Sequence, residues 1–130
     1  MKNWLNITLK LAAIYNIIWG AVVVTFPDLL FELAGMELPL YPMIWQSVGM
    51  IVGVYGIGYW VASRDYIRHW PVVLVGYLGK IFGPIGIFYQ VAFLDFPKAF
   101  LVVTLFNDLI WLLPFTLMVV AAYKTHRFKI

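Results

Sequence analysis

A four-transmembrane-helix bundle, all-α and in one domain over residues 1–130, is the fold class this sequence predicts. Three observations predict it. The chain is 64% hydrophobic and only 12% charged, with a mean hydropathy of +0.91, whereas soluble domains are nearer half apolar and a quarter charged. Four apolar runs are each long enough to cross about 30 Å of hydrocarbon at about 1.5 Å per residue. Short polar or proline-bearing connections separate them. The sequence contains no cysteine, which excludes disulfides, thiolate nucleophiles, thiol redox chemistry and most structural zinc sites.

The first span is expected over residues 5–26. Met1 and Lys2 ahead of an apolar stretch imitate a signal peptide, but no Ala-x-Ala pattern follows and three more spans do, so this reads as a retained helix. Lys10 near its start can snorkel back to the interface. In the connection, Pro27 and Asp28 suit the first turn of a helix and Gly35 suits its end, which predicts a short interfacial helix lying in the membrane surface. Pro39 and Pro42 then turn the chain. The second span is expected over 42–62, followed by the tight polar loop Ser63-Arg64-Asp65-Tyr66-Ile67-Arg68-His69. The third covers 70–93, the turn Leu94-Asp95-Phe96-Pro97-Lys98 reverses it, and the fourth covers 99–123, leaving a basic tail.

The net charge of +3 and pI near 9.2 come from basic residues at the ends of apolar runs, which points to topology control and to no nucleic-acid partner. Lys2, Lys10, Arg64, Arg68, Lys124, Arg127 and Lys129 fall on one side and only Lys98 on the other. By the positive-inside rule both termini and the loop at Arg64 are cytoplasmic. So lopsided a distribution is not that of a dual-topology protein.

Glycines form two stripes at helical spacing, Gly49, Gly53 and Gly56 in the second span and Gly76, Gly79, Gly83 and Gly86 in the third. Small residues allow close approach of membrane helices. The expected arrangement is a hairpin of these two spans packed along the stripes, with a glycine-lined homodimer seam as the alternative.

The stretch Leu78-Gly79-Lys80-Ile81-Phe82-Gly83-Pro84 carries the strongest functional signal. Lys80 lies roughly 14 Å into the third span, and Asp108 lies about 20 Å from the same side on the oppositely directed fourth span. Asn16 falls between these depths, with Asn107 beside Asp108. A charge at the bilayer centre costs at least about 2.5–3.5 kcal/mol, so such residues face the bundle interior and find partners. This predicts a Lys80–Asp108 pair whose hydrogen bonds Asn16 or Asn107 completes. Pro84 has no N–H for the Lys80 carbonyl four residues back, and Pro114 likewise frees that of Ile110. Transporters build mid-membrane sites from such interrupted helices; the plainer reading is a pair that locks the bundle's register. Aromatic residues surround the layer, Tyr15 and Trp19 beside Asn16, Tyr55 and Tyr59 beyond the glycine stripe, and Trp111 one turn from Asp108. Lys80, Asp108, Asn107, Asn16, Trp111 and Tyr55 are therefore the candidate ligand-binding residues.

Other chemistry is thin. His69 and His126 lack ligand-spaced companions, so no metal is expected. Arg64, Arg68 and His69 could hold a phosphate headgroup, but positive-inside charge accounts for them. No nucleophile elbow, glycine-rich phosphate loop or paired acidic motif is present, and no cofactor is expected.

The strings Tyr41-Pro42-Met43-Ile44-Trp45-Gln46, Gly53-Val54-Tyr55-Gly56-Ile57-Gly58-Tyr59, Arg68-His69-Trp70-Pro71, Gly79-Lys80-Ile81-Phe82-Gly83-Pro84 and Asn107-Asp108-Leu109-Ile110-Trp111 resemble a family of small bacterial four-helix membrane proteins. The resemblance implies this fold and a bacterial inner membrane. Some members carry the label alkyl hydroperoxide reductase, an activity that needs cysteine thiolates and so does not transfer to this chain. The leading functional expectation is a membrane protein that binds or transports a small or lipid-like ligand between the third and fourth spans. A four-helix unit is small for a transporter alone, which suggests a homodimer. The alternatives are a non-catalytic accessory or assembly subunit of a larger membrane complex and, third, a lipid-modifying enzyme, for which the chain offers no motif.

Overall fold

In the computed structural model, the described residues 3–127 are helical apart from their connections. Lys2 and Lys129, counted above for orientation, lie outside them. The elements are α1 (Asn3–Thr25), α2 (Leu29–Leu33), α3 (Pro42–Ala62), α4 (Trp70–Phe93), α5 (Phe100–Thr104), a π-helical turn (Leu105–Leu109) and α6 (Ile110–His126). Among them are four helices long and apolar enough to cross a membrane, the fourth being the continuous run Phe100–His126.

The connections follow local chemistry. Gly35 closes α2 in the left-handed region at φ +66°, its N–H bonded to the Glu32 carbonyl, the conformation that glycine adopts without steric cost. The Asp65 carboxylate accepts the N–H groups of Ile67 and Arg68, each at 3.1 Å, and so shapes the tight polar loop. Asp95 takes a left-handed turn at φ +55°, a conformation that aspartate tolerates better than most residues.

Helix pairing differs from the expected hairpin. The second-span glycines pack on the first span, not the third, and α1 against α3 is the most extensive contact in the molecule. A side chain at Gly20 would collide with the Gly49 carbonyl and stand 2.9 Å from the Gly53 Cα, and one at Gly56 would stand 2.8 Å from the Ala13 carbonyl. The reason lies in α1, whose buried Ala12, Ala13, Asn16, Gly20 and Val23 recur at three- and four-residue spacing and present a small-residue face that lets the backbones meet. Of the third-span glycines only Gly76 meets the second span, where a side chain would run into the Tyr59 ring, and nothing lies within 4 Å of one built at Gly79 or Gly86. Most of the packing of α4 is against α6, the π-turn and α5, with a smaller contact on α3. The Thr116 hydroxyl on α6 is hydrogen-bonded to the Tyr77 hydroxyl on α4 at 2.9 Å.

The bundle is thus two helix pairs with a thinner contact between them. At one end Leu5, Asp65, Ile67, Lys124 and Thr125 surround one pocket and His126 Nε2 is 3.0 Å from the Ile67 carbonyl, so the starts of α1 and α4 and the finish of α6 lie together. At the other end Trp19, Phe31, Trp45 and Phe100 interlock edge to face, which ties the short α2 down onto α3 and α5.

Candidate functional site

Midway along the long helices the two pairs part around a cavity of about 260 Å³. Asn16 of α1, Val52, Tyr55 and Tyr59 of α3, Gly76, Gly79 and Lys80 of α4, and Asn107 and Asp108 of the π-turn line it. Of the six residues singled out from sequence, Trp111 alone does not reach the cavity wall. All four long helices contribute to it, Asn16 from the first span and Tyr55 from the second among them.

Lys80 is 4% exposed. Its Nζ donates to the Asn107 carbonyl at 2.9 Å and stands 5.3 Å from the centre of the Phe115 ring and 5.7 Å from that of Tyr59, a distance at which ring faces attract a cation. The expected direct Lys80–Asp108 pair is not formed: among the described residues no salt bridge joins them and the Asp108 carboxylate takes no hydrogen bond.

The π-turn is the physical reason. Its wide winding, with the Ile110 N–H reaching back to the Leu105 carbonyl, displaces carbonyls from the regular ladder. Two of them take side-chain donors instead, Phe106 from Trp111 Nε1 at 2.8 Å and Asn107 from Lys80 Nζ. A buried carbonyl without a partner is costly in a membrane interior, so the lysine goes to the backbone.

Asp108 turns toward α4 at Gly83, where a side chain would stand 2.9 Å from its Oδ2. That glycine makes room for the carboxylate, as Gly79 leaves the cavity mouth open. Both were read from sequence as hairpin packing, and both belong to the site. Asn107 is held at both ends, since its Oδ1 also accepts the Tyr15 hydroxyl proton. Asn16 does not complete the lysine's bonding; its Nδ2 donates to the Val52 carbonyl on α3 at 3.3 Å. Trp111 packs on Tyr15 with ring centres 6.0 Å apart, which supports the layer from behind. Phe115, fully buried beneath Lys80, went unremarked in sequence. Its place seven residues after Asp108, on the same helical face, was the available signal.

Fold and site together define a class: a four-helix bundle of membrane-spanning dimensions with a lysine, an aspartate and two asparagines around a mid-helix cavity. No protein-family model, curated protein or solved structure matches the chain.

Proposed function

We propose that this is a multi-pass protein of the bacterial inner membrane that binds or transports a small, partly apolar ligand in the cavity at Lys80 and Asp108. In this reading both chain ends and the loop at Arg64 face the cytoplasm, and α2 lies in the membrane surface. The observation that carries it is the Asp108 carboxylate. It faces a cavity midway along apolar helices with no hydrogen-bond partner among the described residues, while Lys80 nearby is satisfied by a backbone carbonyl. Polar groups held in the membrane without a structural partner mark substrate or ion sites by default.

A specific observation favours a second reading. The Lys80–Asn107 bond joins α4 to the π-turn and would lock helix register whether or not anything binds. The two readings separate at Asp108, which takes no part in the lock. Native mass spectrometry of the protein released from nanodiscs is expected to show a retained small molecule in the wild type, lost in both Lys80→Met and Asp108→Asn at unchanged helicity. Retention by folded protein in both variants would defeat the ligand reading. Loss of thermal stability in Lys80→Met, with no ligand effect in Asp108→Asn, is the signature of the lock alone.

A further inference from the structure

A groove adjoins the cavity at Tyr55 and Tyr59. Between α3 and α4 a wholly apolar trough of about 330 Å³, lined by Val54, Gly58, Val72 and Val75, shares Tyr55 and Tyr59 with the polar cavity. On α4 it runs from Val75 to Pro71, at the start of the helix. Its walls face outward, with Val54 57% and Val75 50% exposed, and the cavity rim at Ile51 and Tyr55 is exposed as well. The opening therefore faces sideways, where the hydrocarbon of a bilayer would lie.

We infer that the occupant is an uncharged single-chain amphiphile that enters laterally from the bilayer. Its hydroxyl- or amide-bearing head sits between Lys80 and Asp108, and its chain lies along the α3–α4 groove. This rests on the ligand-binding reading above and specifies its ligand.

Three features of the site select that class. Lys80 and Asp108 sum to zero charge whether or not a proton passes between them, so a charged head would leave one uncompensated charge in the membrane interior, which is strongly unfavourable. A neutral head that both accepts and donates answers the two groups together, accepting a hydrogen bond from the ammonium N–H and donating one from its O–H or N–H to the carboxylate. The cavity is also small for a whole ligand. Ligand pockets run to roughly 300–1,000 Å³, and this one enters that range only with the groove, whose lining offers an apolar chain and nothing else.

A photoactivatable long-chain alcohol in phosphatidylcholine nanodiscs tests the inference, run beside its carboxylic acid, amine and short-chain alcohol analogues. The long alcohol is expected to label peptides carrying Tyr55 and Val75. Gly79→Leu, at a position with open space around it, and Val75→Trp, at a half-exposed one, are each expected to lower that labelling about tenfold, a loss equivalent to about 1.4 kcal/mol. Equal labelling by the acid or the amine overturns the neutral head. A short-chain alcohol that labels as well as the long one, with Val75→Trp without effect, overturns the chain. Either result leaves the binding reading intact if a molecule is still retained in native mass spectra. No labelling by any probe, together with no retained molecule, removes both.

Discussion

At the scale of single residues, Asn107 is the pivot of the polar layer. Its side-chain oxygen takes the Tyr15 hydroxyl and its carbonyl takes the Lys80 ammonium, so one residue of the π-turn is tied to α1 and to α4. The side-chain bond can be tested apart from the backbone one. Hydrogen bonds between membrane helices average about 0.6 kcal/mol and reach about 1.7. Tyr15→Phe and Asn107→Leu are each expected to destabilise by that order, and the double variant by little more than the larger single loss. Unfolding in mixed micelles measures this as a coupling energy near the single-bond value; strict additivity would mean that the bond contributes nothing. Leu in place of Asn107 keeps the carbonyl, so Lys80 stays bonded. The sequence marks these residues because a lysine, an aspartate and asparagines inside apolar runs are anomalous on any scale. It does not reveal the lysine's partner, because that partner is a backbone carbonyl, displaced by a π-turn that no residue pattern announces.

At the scale of elements, the second-span glycine stripe was legible as a seam, but its pairing was not, and the third-span stripe is not a seam along its length. Spacing shows that Gly49, Gly53 and Gly56 share a face; it does not say which helix meets that face, and loop length favoured the wrong one. The deciding feature was the small-residue face of α1, with Ala13 and Gly20 against the stripe. The same geometry separates structural glycines from permissive ones. Gly20→Ala places a methyl against backbone of α3 that cannot yield, and overpacking of that kind costs roughly 1–3 kcal/mol. Gly86→Ala, with open space around it, is expected to be neutral or to stabilise its helix by about 0.5–1 kcal/mol. Thermal unfolding in detergent should rank Gly20→Ala well below wild type and Gly86→Ala at or above it. A hairpin packed along the whole α4 stripe would instead have made Gly86 sensitive, as Gly76 against the Tyr59 ring already is.

For the whole molecule, the arrangement of ends carries the topological argument. Four long helices and the pocket shared by Leu5, Asp65, Lys124 and Thr125 bring the start of α1, the loop before α4 and the finish of α6 to one end, and Lys10, Arg64, Arg68, Lys124 and Arg127 lie toward it. Lys10 shows how such a charge is accommodated, its Nζ resting 5.5 Å over the Trp60 ring near the finish of α3, where a lysine can keep its charge at the interface while its stem covers apolar surface. Lys98 lies at the opposite end, in the turn between α4 and α5. The cationic end is therefore expected to be cytoplasmic, and the absence of cysteine allows a direct check. In right-side-out spheroplasts a membrane-impermeant maleimide should label Lys98→Cys at once and Thr125→Cys only after lysis. The charge bias survives both changes, because each leaves the cationic end with all of its lysines and arginines. Labelling in the reverse order would turn the molecule over, yet it would leave the depth of Lys80 and the lateral opening of its cavity where they are, since both sit near the middle of helices that cross from either side.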